Sequence, residues 1–228
     1  MGRGKLRLLL IISLFILSLA ACGPGATHET QVNGVPIPTV SDIADGKSFT
    51  EGGSLPEYTF RTLWKQALTE AQEWHQDAYL VVANGCDIDK KGIPAYWFLV
   101  FLSPSDELYR LDLRIDPIGE VIEQEIWTEG SEEELRDYRI AYGDTPIPAK
   151  VVDSDVVVQN SISALSAQFK AEKIREPGAI LSWDDESEEL VWSYIFFYKL
   201  TAEYCGVDIN PQTGKIKKVW RGSDTESI

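Results

Sequence analysis

Three features of the 228-residue sequence predict an α+β architecture of two repeated units, each a helix packed on a small antiparallel β-sheet. Apolar residues recur at helical spacing twice. The first set is Phe60, Leu63, Trp64, Ala67, Leu68, Ala71 and Trp74; the second is Val158, Ile162, Leu165 and Phe169. Spacings of three and four residues place such side chains on one face of a helix. Short runs rich in β-branched and aromatic residues, divided by turn signals, follow each set as strands should. The offsets between the two halves are also nearly constant: Leu68 and Leu165 are 97 apart, Trp97 and Trp192 are 95, Ile115 and Ile209 are 94. A duplicated unit accounts for that regularity.

In chain order, residues 1–21 come first. Arg3, Lys5 and Arg7 precede an unbroken apolar run from Leu8 to Ala21. That run falls short of the roughly 20 residues a membrane-spanning helix needs. A positive flank, a short apolar stretch and small residues at its end describe an export signal. The run closes on Leu19-Ala20-Ala21-Cys22, which resembles the bacterial lipobox. The resemblance implies a diacylglyceryl group on the Cys22 thiol, cleavage before Cys22, and a membrane lipid anchor on the extracytoplasmic face of a bacterial cell. Each buried methylene contributes about 0.8 kcal/mol, so two or three acyl chains hold firmly.

Residues 22–53 are rich in Gly, Pro, Ser and Thr and show little apolar periodicity, so they read as a flexible tether. The first unit is placed at 54–130. Ser54-Leu55-Pro56-Glu57 fits a capping box with proline just inside the helix start. Strands follow at 78–84 and 95–102, then at 108–116, where LYRLDLRID alternates apolar and polar residues as a half-buried strand does. A turn at DPIG leads into EVIEQEIW. Residues 131–152 read as a linker and 153–228 as the second unit. There Asp153-Ser154 caps a helix, and strands occupy 179–183, 191–200, 204–210 and the KIKKVW stretch.

The closing segments IDPIGEVIE (115–123) and INPQTGKIKK (209–218), together with an upstream helix and an aromatic middle strand, resemble the PepSY domain. The glycines suit turns that need a positive φ. The first copy is one residue shorter between Asp116 and Gly119, and the second has Asn210 where the family has an acid. The resemblance implies a non-catalytic envelope lipoprotein that restrains a peptidase or modulates its surroundings.

Removing residues 1–21 takes three of the 21 basic residues and none of the 36 acidic ones, moving the formal charge from −15 to −18. Such a surface repels phosphate backbones and excludes nucleic acid as a partner. Cys86 and Cys205 are the cysteines left beside Cys22; outside the cytoplasm a disulfide and two free thiols are both open.

No catalytic set, cofactor motif or metal site emerges. His28 lies in the tether and His75 ends the first helix, each without a partner in sequence. Asp87-Ile-Asp89-Lys-Lys-Gly92 starts like a calcium loop, but its twelfth position, which needs a bidentate carboxylate, is Phe98. The run Asp184–Glu189 reads as a solvated hairpin loop. Trp97, Phe98, Phe101, Trp192, Tyr194, Phe196, Phe197 and Tyr198 sit on strands apolar on both faces and are assigned to the core. The function expected is non-catalytic binding of an envelope protein, a peptidase being the class the resemblance implies. Small-ligand or Ca²⁺ sensing is the alternative.

Overall fold

The computed structural model describes residues 30–127, 144–165, 174–184, 188–198 and 203–223. Its strands are β1 (Gln31–Val32), β2 (Val35–Pro36), β3 (Ser48–Phe49), β4 (Glu57–Tyr58), β5 (Tyr79–Cys86), β6 (Tyr96–Ser103), β7 (Asp106–Ile115) and β8 (Val121–Trp127). They continue with β9 (Ile174–Asp184), β10 (Glu189–Tyr198), β11 (Glu203–Ile209) and β12 (Ile216–Ser223). Two helices occur among the described residues, α1 (Phe60–Trp74) and α2 (Ser154–Ala164).

Eight strands make one antiparallel sheet in the order β12-β11-β10-β9-β5-β6-β7-β8. This overturns the expected pair of helix-on-small-sheet units. The finding that decides it is the pairing of β5 with β9, Ala83 opposite Leu181, Asn84 opposite Ile180 and Gly85 opposite Ala179. One core cluster then joins both helices to residues of β5, β6, β7, β9, β10 and β11. The physical reason lies in β5 itself. Tyr79 to Ala83 are buried on both faces, and a strand of that kind belongs in a sheet interior with its backbone groups paired on both edges.

At the centre of the core the two middle-strand tryptophans meet. β6 and β10 are three strands apart, about 14 Å at the usual spacing. Trp97 and Trp192 nevertheless approach to 6.3 Å between ring centroids, at 64°. Phe60, at the start of α1, touches both, 5.2 Å from each. The small residues Ala83, Gly85 and Ala179 on the intervening strands leave the space. A Cβ on Gly85 would lie 2.9 Å from the Trp97 ring.

The expected capping box at Ser54 is not the helix start. Ser54 donates from Oγ to the Glu51 carbonyl at 2.8 Å, and Glu57–Tyr58 runs extended as β4 against Ser48–Phe49. α1 begins after Thr59, whose φ and ψ are still extended. Part of the expected tether also belongs to the body. Asn33 and Gly34 take positive φ in the β1–β2 hairpin, the conformation a two-residue turn favours. Val32 and Ile37 pack on Tyr79, Val81, Val82, Val100 and Leu102, while Ile43 is buried in the main core. Ile147 and Val151, placed in the linker, are core residues too.

The two closing turns are built as read. The Asp116 carboxylate accepts from the amides of Ile118 (3.1 Å) and Glu120 (2.8 Å), with Gly119 at φ +93. The Asn210 side-chain oxygen accepts from Gln212 (3.1 Å) and Thr213 (2.9 Å), with Gly214 at φ +71. Each turn is tied to a helix: Gln66 of α1 donates to the Gly119 carbonyl, and Asn160 of α2 to that of Gly214.

Candidate functional site

Side chains alternate between the faces of a strand, so one face of this sheet meets the two helices, and among the described residues the other carries none. Register sorts them. Trp97, Leu99 and Phe101 face the helices, as do Leu111, Leu113, Ile115, Trp192, Tyr194 and Phe196. Tyr96, Phe98, Arg110, Asp112, Arg114, Phe197, Tyr204, Asp208 and Trp220 fall on the opposite, helix-free face. The β1–β2 hairpin covers this face near Tyr79 and Leu102. Toward the other end of the strands no described helix or hairpin packs on it.

That band has aromatic flanks and a floor of mixed polar, small and aliphatic side chains. On one flank the Arg114 guanidinium lies 4.8 Å from the Tyr96 ring centre and pairs with Glu123 at 2.6 Å. Farther along β7, toward the hairpin-covered end, the Arg110 guanidinium lies 4.6 Å from the Trp127 ring centre and pairs with Asp112 at 3.1 Å. On the other flank Phe197 and Tyr204 are 5.6 Å apart between centroids, and Tyr204 and Trp220 are 5.8 Å. Arg175 lies over Phe197 at 5.7 Å. Between the flanks register places Asn84 and Cys86 on β5, Gly178, Ile180 and Ser182 on β9, and Ser193 and Ile195 on β10.

Hydrogen bonds hold the flanking rings. Asp208 Oδ1 accepts from Trp220 Nε1 at 2.8 Å and from Ser193 Oγ at 2.9 Å. Gly206 and Gly222 let the rings lie flat, since a Cβ on Gly206 would strike the Trp220 indole and one on Gly222 the Tyr204 ring. Burial pushes the Asp112 carboxyl up to about 6, with Arg110 acting the other way. A hydrogen bond with the Cys86 thiol pushes the Tyr96 phenol up.

Cys22, His28 and residues 185–187 of the acidic run lie outside the described residues. Cys86 and Cys205 are both free, so the disulfide left open by the sequence does not form. They sit on β5 and β11, three strands apart and on opposite faces, far beyond disulfide reach. His75 Nε2 lies 3.5 Å from Asp106, beside a shallow concavity of about 540 Å³ lined by residues 72–77 and Ser105. Ser105 there hydrogen-bonds Asp77 rather than His75, so the three make no relay. Asp89 spends one carboxylate oxygen on the amides of Lys91 and Ile93, closing its own loop. Among the described residues no group of three or more His, Cys, Asp or Glu is placed to hold a metal ion. Among them, too, no helix is long and apolar enough to cross a membrane.

The aromatic assignment to the core holds for Trp97, Phe101, Trp192, Tyr194 and Phe196, while Phe98 and Phe197 face the helix-free side. The arginine–aromatic pairs escaped sequence reading because each joins residues of different strands. The available signal was the alternation of LYRLDLR, which puts Arg110, Asp112 and Arg114 together on one face.

No family profile matches the chain. No curated protein matches it either. One solved structure, a candidate lipoprotein from Clostridium difficile 630, is similar at 12% identity and a TM-score of 0.47, over 70% of this chain and 92% of its own. The PepSY resemblance therefore stands on the closing turns alone.

Proposed function

We propose that this is a non-catalytic lipoprotein, anchored through Cys22 on the extracytoplasmic face of a bacterial membrane, whose helix-free sheet face binds a protein of the cell envelope. The observation that carries the binding surface is the band flanked by Arg114–Tyr96 on one side and Phe197–Tyr204–Trp220 on the other. Trp, Tyr and Arg supply most of the energy in protein interfaces, because they bury large area at low entropy cost and keep a polar handle. Here the rings are already fixed by stacking and by Asp208, so little ordering remains to be done on binding. A peptidase is the partner class that the PepSY resemblance implies.

The anchor is supported by the order of positive flank, short apolar run and Leu19-Ala20-Ala21-Cys22. Two experiments separate the parts. Cys22→Ser releases the chain from membranes if the anchor is real; unchanged fractionation contradicts it. For the surface, capture from solubilised envelopes is compared between the wild-type chain and a Tyr204→Ala/Trp220→Ala variant of matched melting temperature. The reading predicts discrete partners that the variant loses. Equal capture by both contradicts it.

A further inference from the structure

The two edges of the sheet are chemically opposite. β8, at one edge, is exposed along residues 122–127, and its stretch from Glu120 to Trp127 holds Glu120, Glu123 and Glu125 with no basic residue. At the other edge, β12 and the residue before it hold Lys215, Lys217, Lys218 and Arg221 with no acid. Of six large hydrophobic side chains exposed among the described residues, five lie on these strands: Ile122, Ile126, Trp127, Ile216 and Val219. A soluble sheet normally protects its edges, since a row of unpaired backbone groups beside apolar side chains recruits another strand. These edges carry charge, but of opposite sign.

Topology makes them compatible. All eight strands alternate in direction, so β8 and β12 run antiparallel to one another. A copy shifted sideways in the plane of the sheet would bring its β12 alongside β8 in antiparallel sense with the helices on the same side. Register then matches the faces. Ile126 lies opposite Leu111 and Val219 opposite Val207, both on the helix side. Glu125 lies opposite Asp112 and Lys218 opposite Asp208, both on the helix-free side. Glu123 and Lys217 are engaged within the chain, with Arg114 and Glu189. Glu125 and Lys218 have no ion-pair partner among the described residues.

We infer that β8 of one copy pairs with β12 of a second copy, head to tail, continuing the antiparallel sheet with Glu125 facing Lys218 and with Ile126 and Val219 as diagonal neighbours on the helix side. Pairing of like edges is disfavoured, because β8 on β8 opposes glutamates and β12 on β12 opposes lysines. A contact of one strand pair is small, so the association is weak in dilute solution and rises with concentration. Because the contact is heterologous, it propagates rather than closing at a dimer.

The test is sedimentation velocity of the full chain in a non-ionic detergent, over a concentration series and at low and high salt. The expected result is assembly that grows with concentration and weakens with salt. Glu125→Lys and Lys218→Glu alone each weaken it about tenfold or more, and the double reversal Glu125→Lys/Lys218→Glu restores it, as a direct pair requires. Both positions are exposed, and unchanged melting temperatures show that the variants fold. A wild-type chain that stays monomeric to about 1 mM overturns the proposal. So does assembly indifferent to both substitutions, or weakened by each and not restored by the pair.

Discussion

The Asp153 carboxylate, 92 residues along the chain from Arg61, caps the first turn of α1, which holds Arg61, as well as its own helix. Oδ1 accepts from the Ser154 amide at 2.9 Å and from the Arg61 amide at 3.1 Å. Oδ2 accepts from Thr59 Oγ1 at 2.6 Å, and Ser154 Oγ accepts from the Phe60 amide at 3.1 Å. Two helix N-termini thus share one buried acid, whose negative charge suits both dipoles. Asp153→Ala leaves buried donors on both helices unpaired. The expected loss is about 2–4 kcal/mol. For a domain of this size that lowers the melting temperature by roughly 5–15 °C. Asp153→Asn, which keeps an acceptor, loses clearly less in the same thermal melt.

Gly85 makes room for the Trp97 ring, and its Cβ would sit 2.9 Å from that indole. Gly85→Val overfills the centre of the core at a cost of about 1–3 kcal/mol. Near-ultraviolet circular dichroism reads the geometry directly, and the signal of the Trp97–Trp192 pair falls in the variant before the far-ultraviolet spectrum changes.

Asp112 gives stability a pH dependence whose sign follows from its raised value. Its folded pKa is about 6 against 3.8 unfolded, so between these values the folded state holds a proton that the unfolded state has released. Stability from this group therefore falls as pH rises from about 4 to about 6.5 and is flat on either side. Urea unfolding of wild type and Asp112→Asn across that range should show the wild type losing ground to the variant as pH increases. A constant difference contradicts the assignment.

The free thiols differ in access, Cys86 half-buried on β5 and Cys205 fully buried against the Trp220 carbonyl at 3.3 Å. A thiol reagent applied to the native protein modifies Cys86 first, and Cys205 only after denaturant is added. The masses of these segments stay the same with or without reductant.

Much of the strand sequence was legible from local pattern. LYRLDLRID alternates because β7 is half-buried, and AYWFLVFL is apolar throughout because β6 is covered by α1 on one side and partly by the β1–β2 hairpin on the other. The closing turns were legible because Asp116 and Asn210 act within a few residues of their partners. The sheet as a whole was not. The β5–β9 pairing joins residues about 95 apart, and nothing in either strand's own period names the other. The hairpin at Gln31–Pro36 did carry a signal, Asn33-Gly34 between valines, hidden in a stretch otherwise rich in Gly and Pro. Ser54 misled because its local motif lost to Asp153, a capping residue supplied from elsewhere in the chain. The candidate site shares the limit of the sheet, since each of its arginine–aromatic pairs exists only once the strands are in register.

The helix-free face is the surface proposed to meet an envelope protein. A photo-cross-linking amino acid at position 204, on that face, and at position 69, on the exposed side of α1, tests it in intact cells. The expected result is a discrete higher-mass adduct from position 204 that position 69 does not give. Adducts of the same pattern from both positions, or from position 69 alone, contradict it.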